Sequence, residues 1–231
     1  MSQPLYLFAD SQPLFWRGGA FLAGLCQAAG NSRPNVAYIG ASNGDSSDAH
    51  GIFAAAFAQL DTGRTHWVRA QYSAEDRNFL ETADVVVLAG GDVEVGWEVF
   101  TRTGMRELIE KRYRDGAVLV GVSAGAVQLG RYAAVPDANG GRKLLETFGL
   151  IDFLVDVHDE KRDWHGLSAT IQLLEGTTRG LGIPHGAALV AHGDGTFEPL
   201  GRAVEEFVLT DGRLRRSVLL SQLQAAHEVL S

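Results

Sequence analysis

Short, unbroken apolar runs rich in β-branched residues recur along the chain, and longer amphipathic stretches separate them. Leu5 to Ala9, Val36 to Gly40, Trp67 to Ala70, Val85 to Leu88 and Ala117 to Gly121 are the clearest of these runs. A strand with no polar alternation has both faces covered, and strands that alternate with helical stretches pair in parallel through crossover helices. The pattern predicts an α/β fold: a mostly parallel central sheet with helices on both faces. Helices are expected at about Ala49–Leu60, Ala74–Thr82 and Val95–Tyr113, with loops at Ala41–Asp48 and Arg131–Gly141. Beyond Gly182 the chain reads as short strands joined at Gly193-Asp194-Gly195 and Asp211-Gly212, closed by a helix from about Ser217.

No linker or repeat divides the 231 residues, so residues 1–231 read as one domain. The formal net charge is −8, with basic residues scattered along the chain, which argues against nucleic acid as a partner. No apolar run is long enough to span a bilayer and no basic leader opens the sequence, so a cytoplasmic protein without membrane attachment is expected. The single cysteine, Cys26, excludes an internal disulfide and reads as a buried thiol on the first helix. None of the seven histidines pairs at a metal-binding helical spacing, and no metal or other cofactor is expected.

Ligands of open α/β sheets sit beyond the carboxyl ends of the strands. One such end runs Val120-Gly121-Val122-Ser123-Ala124-Gly125-Ala126. A strand entering Gly-x-Ser-x-Gly and continuing as an Ala-rich helix is a nucleophile elbow, a tight strained turn that presents the serine hydroxyl. A second strand end, Leu88-Ala89-Gly90-Gly91-Asp92, leaves main-chain amides open. The amide of Ala124, with that of Gly91 or Asp92, would make a two-donor oxyanion hole.

A serine hydroxyl needs a base to take its proton. His158 is the candidate, because it ends the apolar run Phe153 to Val157 and so projects from a strand end onto the same sheet edge. A carboxylate must then hold the imidazole in the right tautomer. Asp137, in the loop after the elbow, and Glu160, two residues past the histidine, are the leading candidates, with Asp156 a third.

These stretches together resemble the serine peptidase family of peptidase E (aspartyl dipeptidase) and cyanophycinase. The resemblance is carried by Ala89-Gly90-Gly91-Asp92, by Gly121-Val122-Ser123-Ala124-Gly125-Ala126, by Asp156-Val157-His158 and by Gly182 to Leu189. It implies a class I glutamine amidotransferase-like fold with serine replacing cysteine. It also implies Ser123 as nucleophile, His158 as base, and the amides of Gly91 and Ala124 as the oxyanion hole. The acid falls on Asp137 by analogy with peptidase E and on Glu160 by analogy with the amidotransferases. The chain departs from both named members. An acidic pair, Asp159-Glu160, opens the stretch where peptidase E carries an arginine linked to its aspartyl substrate, and Val93 stands where cyanophycinase has Gln.

The expected activity is hydrolysis of an amide bond in a small peptide through an acyl-enzyme. A cyanophycinase-like or small-ester hydrolase and a non-catalytic binding protein of the same fold are the alternatives. The oligomeric state is left open, a homodimer included.

Overall fold

The structure, a computed structural model, describes residues 3–137, 141–174 and 177–221. Strand β1 (Leu5–Phe8) leads through a 3₁₀ segment to helix α1 (Ala20–Ala28), then β2 (Val36–Ile39), α2 (Ser47–Phe57) and β3 (Thr65–Val68). Helix α3 (Ala74–Leu80), β4 (Val85–Leu88), α4 (Val93–Thr103), α5 (Met105–Arg114), β5 (Val118–Val122) and α6 (Ala124–Leu129) complete the first half. These strands pair in parallel in the order β1, β5, β4, β2, β3, as the recurring apolar runs predict.

Successive residues of each strand face opposite sides of the sheet. On one side Leu7, Ile39, Val86 and Leu119 join Phe79, Phe100 and Ile109 of α3, α4 and α5 in a buried cluster. On the other, Tyr38, Val87 and Val120 join Leu22 and Leu25 of α1 and Phe53 and Phe57 of α2. Cys26 belongs to this second cluster, and burial pushes its thiol up to about 11. Among the described residues no helix is long and apolar enough to cross a membrane.

The second half departs from the sequence expectation in three places. Strands β6 (Tyr132–Pro136) and β7 (Arg142–Glu146) form an antiparallel hairpin where a loop is expected, because the turn residues at its tip mask two short strands. Strand β8 (Leu154–Val157), which ends at His158, does not join the main sheet. After helix α7 (His165–Gln172), it pairs in parallel with β9 (Thr178–Ile183) in a four-stranded sheet that also holds β12 (Val204–Thr210) and β13 (Arg213–Leu219). Ser217, expected to open a helix, lies in β13 opposite Glu206; the rest of that expected helix, from residue 222 onward, lies outside the described residues.

Strands β10 (Ala188–Ala191) and β11 (Phe197–Leu200) return to the main sheet, where β10 pairs antiparallel with β1. Only Pro184 to Ala187 separate the end of β9 from the start of β10. That short turn holds the rims of the two sheets against each other. One continuous apolar cluster spans both, running from Leu7 and Leu119 to Val155, Leu181 and Val204.

Candidate active site

The serine and the histidine come from different sheets, and a main-chain hydrogen bond fixes each. Ser123 follows β5 directly, and its N–H donates to the carbonyl of Phe8 at 2.9 Å, which ties the elbow to β1. His158 follows β8, and its N–H donates to the carbonyl of Ile183 at 2.9 Å, at the end of β9. Both residues have positive φ, 50° for Ser123 and 45° for His158. A non-glycine residue held there costs about 1–3 kcal/mol, which the surrounding packing must offset. The outcome is a distance of 3.0 Å between Ser123 Oγ and His158 Nε2.

The elbow closes this tightly because its flanking glycines sit against backbone. A Cβ on Gly121 would lie 2.5 Å from the nitrogen of Ala126, and one on Gly125 would lie 2.3 Å from the carbonyl oxygen of Leu88. Beside the elbow, Gly91 has a φ of 136°, and a Cβ there would meet the carbonyl of Ser42 at 2.0 Å. The amide of Asp92 donates to that same carbonyl at 2.7 Å and is therefore committed, while its carboxylate caps α4 by accepting from Val95 N–H. Of the two candidate amides at this strand end, Gly91 is the free one. Among the described residues neither Gly91 N–H nor Ala124 N–H, the first of α6, has an acceptor.

Ser123, His158, Gly90 and Gly91 border one cavity of about 830 Å³. Glu160 borders it too. Its Oε1 accepts from His185 N–H at 3.3 Å and lies 3.9 Å from Arg202 Nη1, while its Oε2 is buried with no partner among the described residues. The other two carboxylate candidates lie elsewhere. Asp137 sits at the tip of the β6–β7 hairpin, accepting from Gly141 N–H at 2.8 Å, and is not among the residues bordering the cavity. Asp156 accepts from Val157 N–H at 2.9 Å and faces a separate cavity of about 120 Å³ that Arg142 also borders. Burial raises its carboxyl to about 6, with Asp159 adding to the rise and Arg142 and His158 opposing it. The acidic pair after His158 also divides: Asp159 is buried and bound to Arg162 Nε at 2.6 Å, so only Glu160 faces the cavity.

Among the bordering residues absent from the sequence-predicted site, four are charged residues or histidine: Asp10, Lys161, His185 and Arg202. Asp10 follows the apolar run Leu5 to Ala9, so its place at a strand end is a signal present in the sequence. Its carboxylate binds His185 Nδ1 at 3.0 Å and accepts from Gly186 N–H at 2.6 Å. Gln12 Nε2 lies 2.9 Å from His185 Nε2, so both ring nitrogens of this second histidine are engaged. His185 carries no such signal, because it reaches the site through the β9–β10 turn and not from the end of an apolar run.

The fold is shared with solved structures. A peptidase from an acI-B1 actinobacterium superposes with a TM-score of 0.73 at 20% identity, covering 96% of both chains. A putative peptidase E protein from Listeria monocytogenes EGD-e superposes with a TM-score of 0.63 at 14% identity, covering 86% of this chain and 98% of that one. No curated protein matches the sequence. The model of peptidase family S51 matches residues 21–198, a span that takes in the elbow, the Gly-Gly-Asp strand end and His158. The chain belongs to peptidase family S51, a family of serine-type peptidases.

Proposed function

We propose that Ser123, His158 and Glu160 form the catalytic group of this serine peptidase, with the amides of Gly91 and Ala124 as its oxyanion hole and small peptides as its substrates. The observation that carries the reading is the 3.0 Å approach of Ser123 Oγ to His158 Nε2 at the mouth of a peptide-sized cavity. For Nε2 to accept the seryl proton, the imidazole must carry its other proton on Nδ1, and a nearby carboxylate stabilises that tautomer. Glu160 is the candidate carboxylate that borders the cavity with Ser123 and His158; it forms no ion pair with His158 within 4.0 Å, so its unpartnered Oε2 would have to turn toward Nδ1 to fill the role.

In the proposed cycle Oγ attacks the peptide carbonyl and its proton passes to Nε2. The negative oxygen takes the two free amides. The C–N bond then breaks as His158 returns the proton to the leaving amine, which gives an acyl-enzyme. Water, deprotonated by His158, attacks the ester, and the seryl oxygen leaves with that proton.

Replacing Ser123 by Ala is expected to lower kcat on a short-peptide mixture by at least ~10³-fold with an unchanged far-UV circular dichroism spectrum. The substitution Glu160→Gln should cost about 10²–10⁴-fold, and Asp137→Asn less than about threefold. A large loss in Asp137→Asn with a small one in Glu160→Gln would move the acid to the hairpin. Near-wild-type turnover by Ser123→Ala would end the assignment.

A further inference from the structure

The cavity has two unlike walls, and the direction of the reaction says which part of a peptide meets each. In acyl transfer the base returns its proton to the leaving amine, so the leaving residue lies on the histidine's side of the serine and the acyl residue lies opposite. In the main sheet, β1 and β10 flank β5 on one side and β4 and β2 on the other. His158, Glu160, His185 and Arg202 border the cavity and are held at the end of β9 and the β9–β10 turn, which Asp10 after β1 binds; Lys161, which follows Glu160, borders it too. The far wall is Leu14, Tyr38, Ile52, Phe53 and Val87, from β2, β4, α2 and the 3₁₀ segment after β1.

That far wall is apolar and carries no Lys or Arg; of the cavity's two, Arg202 donates to the His185 carbonyl in the β9–β10 turn and Lys161 follows Glu160. Its floor is a buried aromatic pair, Tyr38 and Phe53, with ring centroids 4.8 Å apart. Of the polar atoms nearby, Tyr38 Oη accepts from Asn43 Nδ2 at 3.1 Å, and Ser46 Oγ caps α2 by accepting from Ala49 N–H at 3.3 Å. Ile52, which also borders the cavity, is a large apolar side chain left 43% exposed.

We propose that this wall is the acyl-side specificity pocket and that it selects short peptides whose acyl residue is bulky and apolar, leucine- or phenylalanine-like, over those with an acidic one. The proposal rests on the serine peptidase reading above. A leucyl or phenylalanyl side chain would cover Ile52 and rest on the Tyr38–Phe53 pair, removing apolar surface from water on both partners. An aspartyl side chain placed there would lose its hydration and gain no positive partner. One methylene in an apolar pocket is worth roughly 10–200-fold in discrimination, so the selection should be steep.

The test is kcat/KM for Leu-Ala, Phe-Ala, Ala-Ala and Asp-Ala and the matching Xaa-Ala-Ala tripeptides, with wild type, Ile52→Arg and Ser123→Ala. Wild type is expected to cleave the Leu or Phe peptides at least tenfold faster than the Ala peptides and at least a hundredfold faster than the Asp peptides. Because Ile52 is exposed, Ile52→Arg should fold normally, lower the Leu-to-Asp ratio at least tenfold and raise the absolute rate on Asp peptides. Ser123-dependent cleavage that favours Asp, or that ignores the acyl residue, would overturn the pocket and leave the peptidase reading standing. A ratio unmoved by Ile52→Arg would also overturn the pocket. Cleavage of none of these peptides, or cleavage that persists in Ser123→Ala, would remove both readings.

Discussion

At Asp156 the fold works against a charge. The half-buried carboxylate projects from β8, two residues before His158, and desolvation lifts its pKa from an ordinary 3.8 to about 6. Asp159 reinforces the shift, while Arg142, His158 and the Val157 amide oppose it. Between about pH 4 and pH 6 the folded protein holds a proton there that the unfolded chain has released, so this group's contribution to stability falls as pH rises through that window. Above it the charged form is a standing cost on the order of 1–3 kcal/mol. The substitution Asp156→Asn should therefore raise stability by that order at pH 8 and change it little at pH 4, read as urea midpoints across pH. Equal effects at both values would show that the carboxylate is not titrating as its surroundings require. At this scale the sequence is most informative where a residue's place is local. The Gly-x-Ser-x-Gly turn follows from its own close contacts, and Ser123 can be read from the residues around it. Glu160 and Asp137 cannot be separated in the sequence, because the difference lies in where the 3₁₀ turn Glu160–Arg162 and the β6–β7 hairpin point in space.

Periodicity predicts one helix from Val95 to Tyr113, yet α4 and α5 are separate helices that meet at Gly104, whose φ is 76°. Both halves are amphipathic with apolar residues at helical spacing, so the pattern carries through the break, and the left-handed residue that ends α4 is the interruption. An added Cβ at Gly104 would meet nothing closer than 3.7 Å, so the barrier to replacing it is conformational and not steric. The substitution Gly104→Ala is expected to cost about 1–2 kcal/mol in chemical denaturation, with kcat/KM within twofold, since α4 and α5 lie on the face of the sheet away from α2. A stabilised variant would mean that a continuous helix is the better structure for this sequence. The β6–β7 hairpin shows the converse error. Its strands are short and half-exposed, and the turn residues between them outweigh the strand signal in the sequence. The parallel strands, buried on both faces, are legible because nothing else explains four or five successive apolar residues with no polar alternation.

Across the whole molecule the catalytic distance is a relation between two sheets, and no single motif encodes it. Ser123 is pinned to β1 and His158 to β9, and the link between them is the four-residue turn from β9 into β10 together with the apolar cluster shared by Leu7, Leu119, Val155, Leu181 and Val204. Reading the sequence alone puts both residues on one sheet edge, which brings them together for the wrong structural reason. An apolar strand ending in histidine does not reveal which sheet it will join, because that choice is made by long-range pairing with residues near position 180. If the shared cluster couples the sheets as closely as its burial implies, the chain should unfold as one unit. Activity on the preferred peptide and near-ultraviolet circular dichroism should then be lost at the same urea concentration, within about 0.3 M, given a slope of about 1–3 kcal/mol per molar urea or somewhat more at this chain length. Activity lost well before the tertiary signal would show that the rims separate while both sheets persist, and the turn at Pro184–Ala187 would then be a hinge in place of a clamp.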